Sequence, residues 1–333
     1  MYLPIEVARF TLAEFNRNLE GLSEDDARAR MNKAGGGEMN AITWAMAHIA
    51  GHWLSRPERL ENFDFRSADP APPTLADARA WLDEAAAFTE GWLPNADPEL
   101  LGSKPDFLGG ESIGTGVMRA TLHTWFHCGE INAVRQLLGH PEIAFLGNIT
   151  EHLEWRDPAG RGTTYRPDDL ARFAISEFER GLKGLTAEEA VARVAKADGT
   201  RMNSITWTMG HVSTGWLFDY ALMTGERFQF GERVFFGPGA DPTPPILEEM
   251  RVMFAQAKSL TETWLPDATD ELLSSKRDFG PQAAEKLGTQ LMRAILHTWF
   301  HTGETNAMRQ MLGHGEIQFV GRMRGRLEYG GAA

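Results

Sequence analysis

A chain of 333 residues, 42% hydrophobic and 24% charged, is long enough to bury two ordinary cores and lacks any apolar run of membrane-spanning length. Its formal net charge of -13 argues against a nucleic-acid partner, because binding to phosphates relies on a positive field and counterion release. The single cysteine, Cys128, excludes an internal disulfide, and "MYLPIEVARFTLAEF" lacks the regions of a secretory signal, so the expected address is the cytoplasm.

From the N-terminus, apolar residues at Ile5, Ala8, Leu12, Phe15 and Leu19 recur at helical spacing and predict a helix from Pro4 to Leu19. Ser23-x-x-Asp26 resembles the start box of a short helix. A second long helix is expected from Asn40, a residue suited to an N-cap, to Leu54. After the proline-rich "ADPAPPTL", a third runs from Leu75 to Trp92 and closes at Leu-Pro. The fourth covers Thr115 to Leu138, with Gly139 placed to end it.

The same order then returns. "MNAITWAMAHIAGHWL" at 39–54 aligns with "MNSITWTMGHVSTGWL" at 202–217, and "LHTWFHCGEINAVRQLLGH" at 122–140 with "LHTWFHTGETNAMRQMLGH" at 296–314. In the latter pair 15 of 19 positions are identical. The second copy predicts a box at Thr186-x-x-Glu189 and helices over Asn203–Leu217, Leu247–Trp264 and Thr289–Leu312, the last ended by Gly313. One short hairpin, "RFQFGERVFF" at 227–236, is the sole strand candidate. The expectation is therefore all-α: two tandem four-helix bundles, 1–155 and 168–329, joined by a Gly/Pro-rich linker at 156–167. Fusion of a former homodimer would relate them as an intramolecular pseudo-dimer with pseudo-twofold symmetry.

Three histidines recur in each copy: His48, His123 and His127, then His211, His297 and His301. Residues four apart share a helix face, so each H-x-x-x-H pair can aim two imidazoles at one ion, with the third donated by the second helix. Three nitrogen ligands with an open fourth position suit a catalytic divalent metal, and imidazole accepts zinc, nickel, copper or iron. The competing reading is that these histidines only hydrogen-bond within the core. His52 aligns with Gly215 and is expected to be dispensable to any shared function. His140 and His314 are expected to cap helix ends, and His152 to lie on the surface.

The second-helix histidine together with "HTWFHCGEINAVRQLLG" resembles the DinB/YfiT-like superfamily, whose last bundle helix usually reads H-x-x-x-H-x-G-Q. The resemblance covers both copies. It implies up-up-down-down four-helix bundles and a three-histidine site for a divalent metal (zinc, nickel or iron) at the six positions named. Similar proteins include thiol-dependent S-transferases, which implies a low-molecular-weight thiol as cofactor and a small-molecule substrate; a hydrolase is the variant use of such a site. The alternative is a non-catalytic metal-binding or stress-associated interaction module.

This chain departs from the pattern at Glu130 and Glu304, where glutamine is usual. Each glutamate shares the histidine stripe. It can orient a ligand imidazole, bind the metal, serve as general base, or act as an ordinary hydrogen-bond partner. Arg135 and Arg309 are expected in structural ion pairs, with an anion site as the other option. Trp44, Trp207, Trp125 and Trp299 are expected as core contacts rather than substrate stacks. Cys128 points off the ligand face, so thiol chemistry requires an external thiol.

Overall fold

The computed structural model describes residues 2–54, 72–147, 149–156, 165–226, 236, 243–277, 285–315, 317–321, 323 and 325–330. Among them every regular element is helical, apart from isolated antiparallel bridges at Asn32–Glu38 and Ala195–Arg201. The candidate hairpin at 227–236 lies outside the described residues except for Phe236.

The first half contains α1 (Pro4–Arg17), α2 (Glu24–Arg28), α3 (Ile42–Leu54), α4 (Leu75–Trp92), α5 (Pro98–Gly102), α6 (Ile113–Leu137) and the single turn α7 (Ile149–His152). The second contains α8 (Pro167–Gly181), α9 (Ala187–Val191), α10 (Ile205–Thr224), α11 (Leu247–Trp264), α12 (Asp270–Ser274) and α13 (Leu287–Met311). Helix starts follow local chemistry. Ser23 and Thr186 form complete capping boxes with Asp26 and Glu189, satisfying backbone donors at both ends of each box. Asn203 does not cap α10; the Ser204 hydroxyl does, accepting from the Trp207 N–H at 3.1 Å. The matching position in the first half is Ala41, which has no side-chain acceptor, and α3 begins at Ile42. α10 runs past the expected end at Leu217 and stops at Gly225, whose φ of 78° only glycine adopts freely.

α6 packs against α1 and α3, and α3 against α4; α13 packs against α8 and α10, and α10 against α11. The most extensive helix contact joins the halves, between α6 and α13. Its cause is two glycines. A Cβ on Gly129 would sit 1.8 Å from the Phe300 carbonyl oxygen, and one on Gly303 would sit 1.8 Å from that of Phe126. Backbone therefore touches backbone, two residues beyond His127 and His301.

Each half also clasps the other. The Trp155 indole covers Gly288 at the start of α13, and the Tyr329 ring covers Gly114 at the start of α6. The backbone N–H of Trp155 donates to Thr289 Oγ1 and that of Tyr329 to Thr115 Oγ1, both at 2.9 Å. Tyr2 and Tyr165 hydroxyls donate to the carbonyls of Gly288 and Gly114 at 2.6 and 2.8 Å. Phe145 meets Phe300 and Phe319 meets Phe126, with ring centroids 5.0 Å apart in each pair. The segments following α6 and α13 thus pack across the division expected at 156–167. Of that linker, 157–164 lie outside the described residues, and Pro167 already opens α8.

Candidate metal centres

In the second half, α10 presents His211 and α13 presents His297 and His301. The Nε2 atoms of His211 and His301 each lie 3.0 Å from His297 Nε2, and the three rings form a group whose ligand atoms are mutually within 4.8 Å. The opposite edges of two rings are engaged. His301 Nδ1 donates to Glu304 Oε2 at 2.6 Å, and His211 Nδ1 donates to the Phe236 carbonyl. A neutral imidazole with hydrogen on Nδ1 carries a lone pair on Nε2. Two lone pairs therefore converge on His297 Nε2, which can supply at most one hydrogen.

The first half gathers four imidazoles. His48 Nε2 lies 3.3 Å from His123 Nε2, which is 3.0 Å from His127 Nε2. His52, expected to be dispensable, also joins: its ring centroid lies 4.4 Å from that of His123 and 4.7 Å from that of His48. His48, His52 and His123 form the first group with ligand atoms mutually within 4.8 Å. His48-x-x-x-His52 has the same spacing as the α6 pair; alignment against Gly215 masks that signal in the sequence. His127 Nδ1 faces Glu130 Oε2 at 2.8 Å.

Burial sets the protonation state. It pushes His48, His123, His297 and His301 well below the ordinary imidazole value. His52 falls to about 4, through burial and then the charges of Arg119 and His127. His211 is lowered by burial against the opposing pull of the Phe236 carbonyl and Glu304. These six imidazoles are neutral near pH 7, the form that ligates metal. Burial raises Glu304 to about 7, while the hydrogen bond from Asn132 pulls the other way.

Both carboxylates are held from across the α6–α13 contact. Asn306 Nδ2 donates to Glu130 Oε1 at 2.8 Å, and Gln310 Nε2 reaches the same oxygen at 3.2 Å. Asn132 Nδ2 donates to Glu304 Oε1 at 2.9 Å. Glu304 thus spends one oxygen on its own histidine and the other on the opposite half, while Glu130 turns one oxygen toward His127 and bonds the opposite half with the other. Of the roles weighed for Glu130 and Glu304, this arrangement supports histidine orientation. The asparagines stand two residues beyond each glutamate in both copies, a regularity whose purpose only the crossing reveals.

Other residues sort themselves by contact. Trp44 stacks on His48 (centroids 4.8 Å, 12° between planes) and Trp207 on His211 (5.2 Å, 13°), so both wall their centres. Trp125 and Trp299 are fully buried in the core. Arg135 and Arg309 do not form the expected ion pairs. Arg135 Nη1 donates to the Asn18 and Glu20 carbonyls, and Arg309 Nη1 to that of Lys183, each at 2.8 Å, tying down the ends of the first helix of each half. α6 and α13 end at Gly139 (φ 90°) and Gly313 (φ 92°), after which the His140 and His314 N–H groups bond back to Arg135 and Arg309 carbonyls at 3.0 Å. Their rings face Asp26 and Glu189 instead of capping carbonyls. His152 is exposed, as expected. Cys128 is buried, and burial drives its thiol well up, which removes it as a nucleophile.

Comparisons of the chain with protein-family models, with curated proteins and with solved structures find no match. Among the described residues no helix is long and apolar enough to cross a membrane. The donor sets themselves fit a metal. An ion about 2.1 Å from each nitrogen at tetrahedral angles would space the nitrogens about 3.4 Å apart. The printed Nε2 separations of 3.0 to 3.3 Å are close to that spacing.

Proposed function

We propose that this chain is a divalent-metal protein of the DinB/YfiT-like kind, with one ion per half, and that it catalyses a thiol-dependent transfer or a hydrolysis on a small molecule. The observation that carries the metal reading is the convergence of part-buried, neutral imidazole nitrogens in the second half, two of them with far edges tied to Glu304 and the Phe236 carbonyl. Without a cation such lone pairs repel; with one they become ligands.

When bound, the ion supplies Lewis acidity that lowers the pKa of a thiol or water brought to it. The residues of the chain prepare that place. Glu304 holds His301 in the tautomer that leaves Nε2 free to ligate, and Glu130 stands at the corresponding place behind His127. Trp207 and Trp44 screen one face of each second-helix histidine from water. Since Cys128 is buried and held in its thiol form, a sulfur nucleophile has to arrive from outside.

A second reading, a non-catalytic metal-holding module, is favoured by one feature of the first half. The recess beside His127, Glu130 and Trp44 has a volume of about 30 Å³, room for a water and not for an organic substrate. Elemental analysis of tag-free protein tests the shared premise: two metal ions per chain are expected, and none would reject it. Thiol-dependent consumption of an electrophile, lost in His297→Ala, then selects the enzyme. Metal binding without turnover selects the module.

A further inference from the structure

We propose that the second half binds a small apolar monocarboxylate in a groove between α8, α10 and α11, at a site separate from either metal centre. The groove has a volume of about 630 Å³, within the range that holds a small organic ligand. Leu182, Met209 and Phe254 give it an apolar floor, and Lys183, Arg251 and Lys258 stand on its rim. Met209 precedes His211 by two residues, about 200° around α10, so the groove lies on the side of that helix turned away from the imidazoles.

The first half shows how the same place is used when the chain fills it. There Arg79 of α4 crosses to the end of α1 and donates to the Leu19 carbonyl at 3.1 Å. Arg251 holds the matching position on α11 but turns to Glu248 instead, at 3.6 Å. Both side chains of that pair are more than half exposed, so little free energy opposes the release of Arg251 to a ligand. The charge also reverses. Glu20, Asp83 and Ala86 of the first half align with Lys183, Ala255 and Lys258 of the second, so two acids are lost and two bases gained around the groove. The two acidic residues that line it are already engaged: Glu179 accepts from Lys258 Nζ at 2.7 Å and Glu262 from Arg172 Nε at 3.0 Å. Lys183 and Arg251 are thus left to meet an incoming carboxylate, with its hydrocarbon body laid on Met209 and Phe254. The carbonyl end of α8 would disfavour an anion, but Arg309 covers it by donating to the Lys183 carbonyl at 2.8 Å.

Fluorescence titration of the full-length chain with 2-naphthoate tests the site, with 2-naphthamide as the uncharged control. One naphthoate per chain should bind, at least about tenfold more tightly than the amide, the difference expected of hydrogen bonds to a charged group. Lys183→Gln with Arg251→Gln should weaken naphthoate by at least about tenfold and leave the amide unchanged, a selectivity that a merely structural role would not produce. Ser259→Trp, at an exposed position of α11 that lines the groove, should abolish binding of both compounds. His297→Ala with His301→Ala should leave naphthoate affinity unchanged, because the groove makes no use of an ion. Absence of naphthoate binding at millimolar concentration, or equal affinity for acid and amide, would overturn the proposal. So would binding that survives Ser259→Trp but is lost with the two histidines, which would put the carboxylate on a metal ion and leave the metal reading intact. Should the tryptophan variant fail to fold, the Lys183 and Arg251 substitutions, both at exposed positions, still decide the outcome.

Discussion

The two halves place the same ligand helices around two centres, yet the first gathers four imidazoles and the second three, with a backbone carbonyl fixing His211. Around this difference the supports are shared. Glu130 is held by Asn306 and Gln310 of the second half, and Glu304 by Asn132 of the first. The comparison teaches that one position on an otherwise repeated helix, His52 against Gly215, changes how many imidazoles gather, while the carboxylates behind His127 and His301 are held by the contact between halves. Neither centre is complete within its own half.

The harshest way to break the comparison is to force the halves apart. Gly129→Ala or Gly303→Ala drives a methyl into an opposing carbonyl oxygen, so each is expected to cost about 3 kcal/mol or more and to disturb both centres at once, measured by urea unfolding and metal stoichiometry. Equal stability with two ions bound would refute the close crossing. Next in size, His297→Ala with His301→Ala should reduce stoichiometry from two ions to one. Loss of both ions would show that the centres cannot be separated.

The cross-held carboxylates sharpen it further. Asn132→Ala should weaken metal binding at the second centre by roughly ten- to a hundredfold, the usual result of losing an outer partner of a ligand. Asn306→Ala should weaken the first centre less, because Gln310 still reaches Glu130. Calorimetric titration of each variant in single-centre backgrounds would detect a reversed order, which would sink this account of the supports.

Acid offers a gentler probe. His52 sits at about 4 when folded against an ordinary 6.5. The unfolded chain therefore binds a proton that the folded chain refuses, so this stability is present above pH 6.5 and drains as pH falls toward 4. In metal-free protein, His52→Gln should flatten the acid limb by up to about 1 kcal/mol per pH unit, seen in denaturant titrations at pH 5 and 7. An unchanged slope would contradict the lowered His52 pKa. The smallest effect belongs to the opposite position: Gly215→Ala should stabilise by about 1 kcal/mol, since a helical glycine gains a Cβ in open space.

Much of this was legible in the residues. Periodicity and Leu-Pro closure place α4 and α11 to the residue, and the Ser23 and Thr186 boxes read directly as helix starts. The spacing of His123 with His127 and of His297 with His301 places each pair on one face because helix geometry is local. What resisted was non-local. Alignment with Gly215 hid His52, since a feature present in one copy only looks expendable beside its twin. The arginines looked like charge partners, but buried carbonyls at the ends of α1 and α8 claimed them. Nothing in the glycine of H-x-G-E announces a partner backbone 170-odd residues away, although the offset between Gly129 and Gly303 was visible. The Phe236 carbonyl could not be foreseen, because any residue carries one.

The aromatic clasps have a practical corollary. Trp155 and Tyr329 each lock onto a glycine belonging to the opposite half. A fragment cut at residue 156 would carry an indole with nothing to grip and a bare glycine groove with no cover. Scission within 157–164 of the folded protein should consequently yield two pieces that travel together through gel filtration, parting only in denaturant.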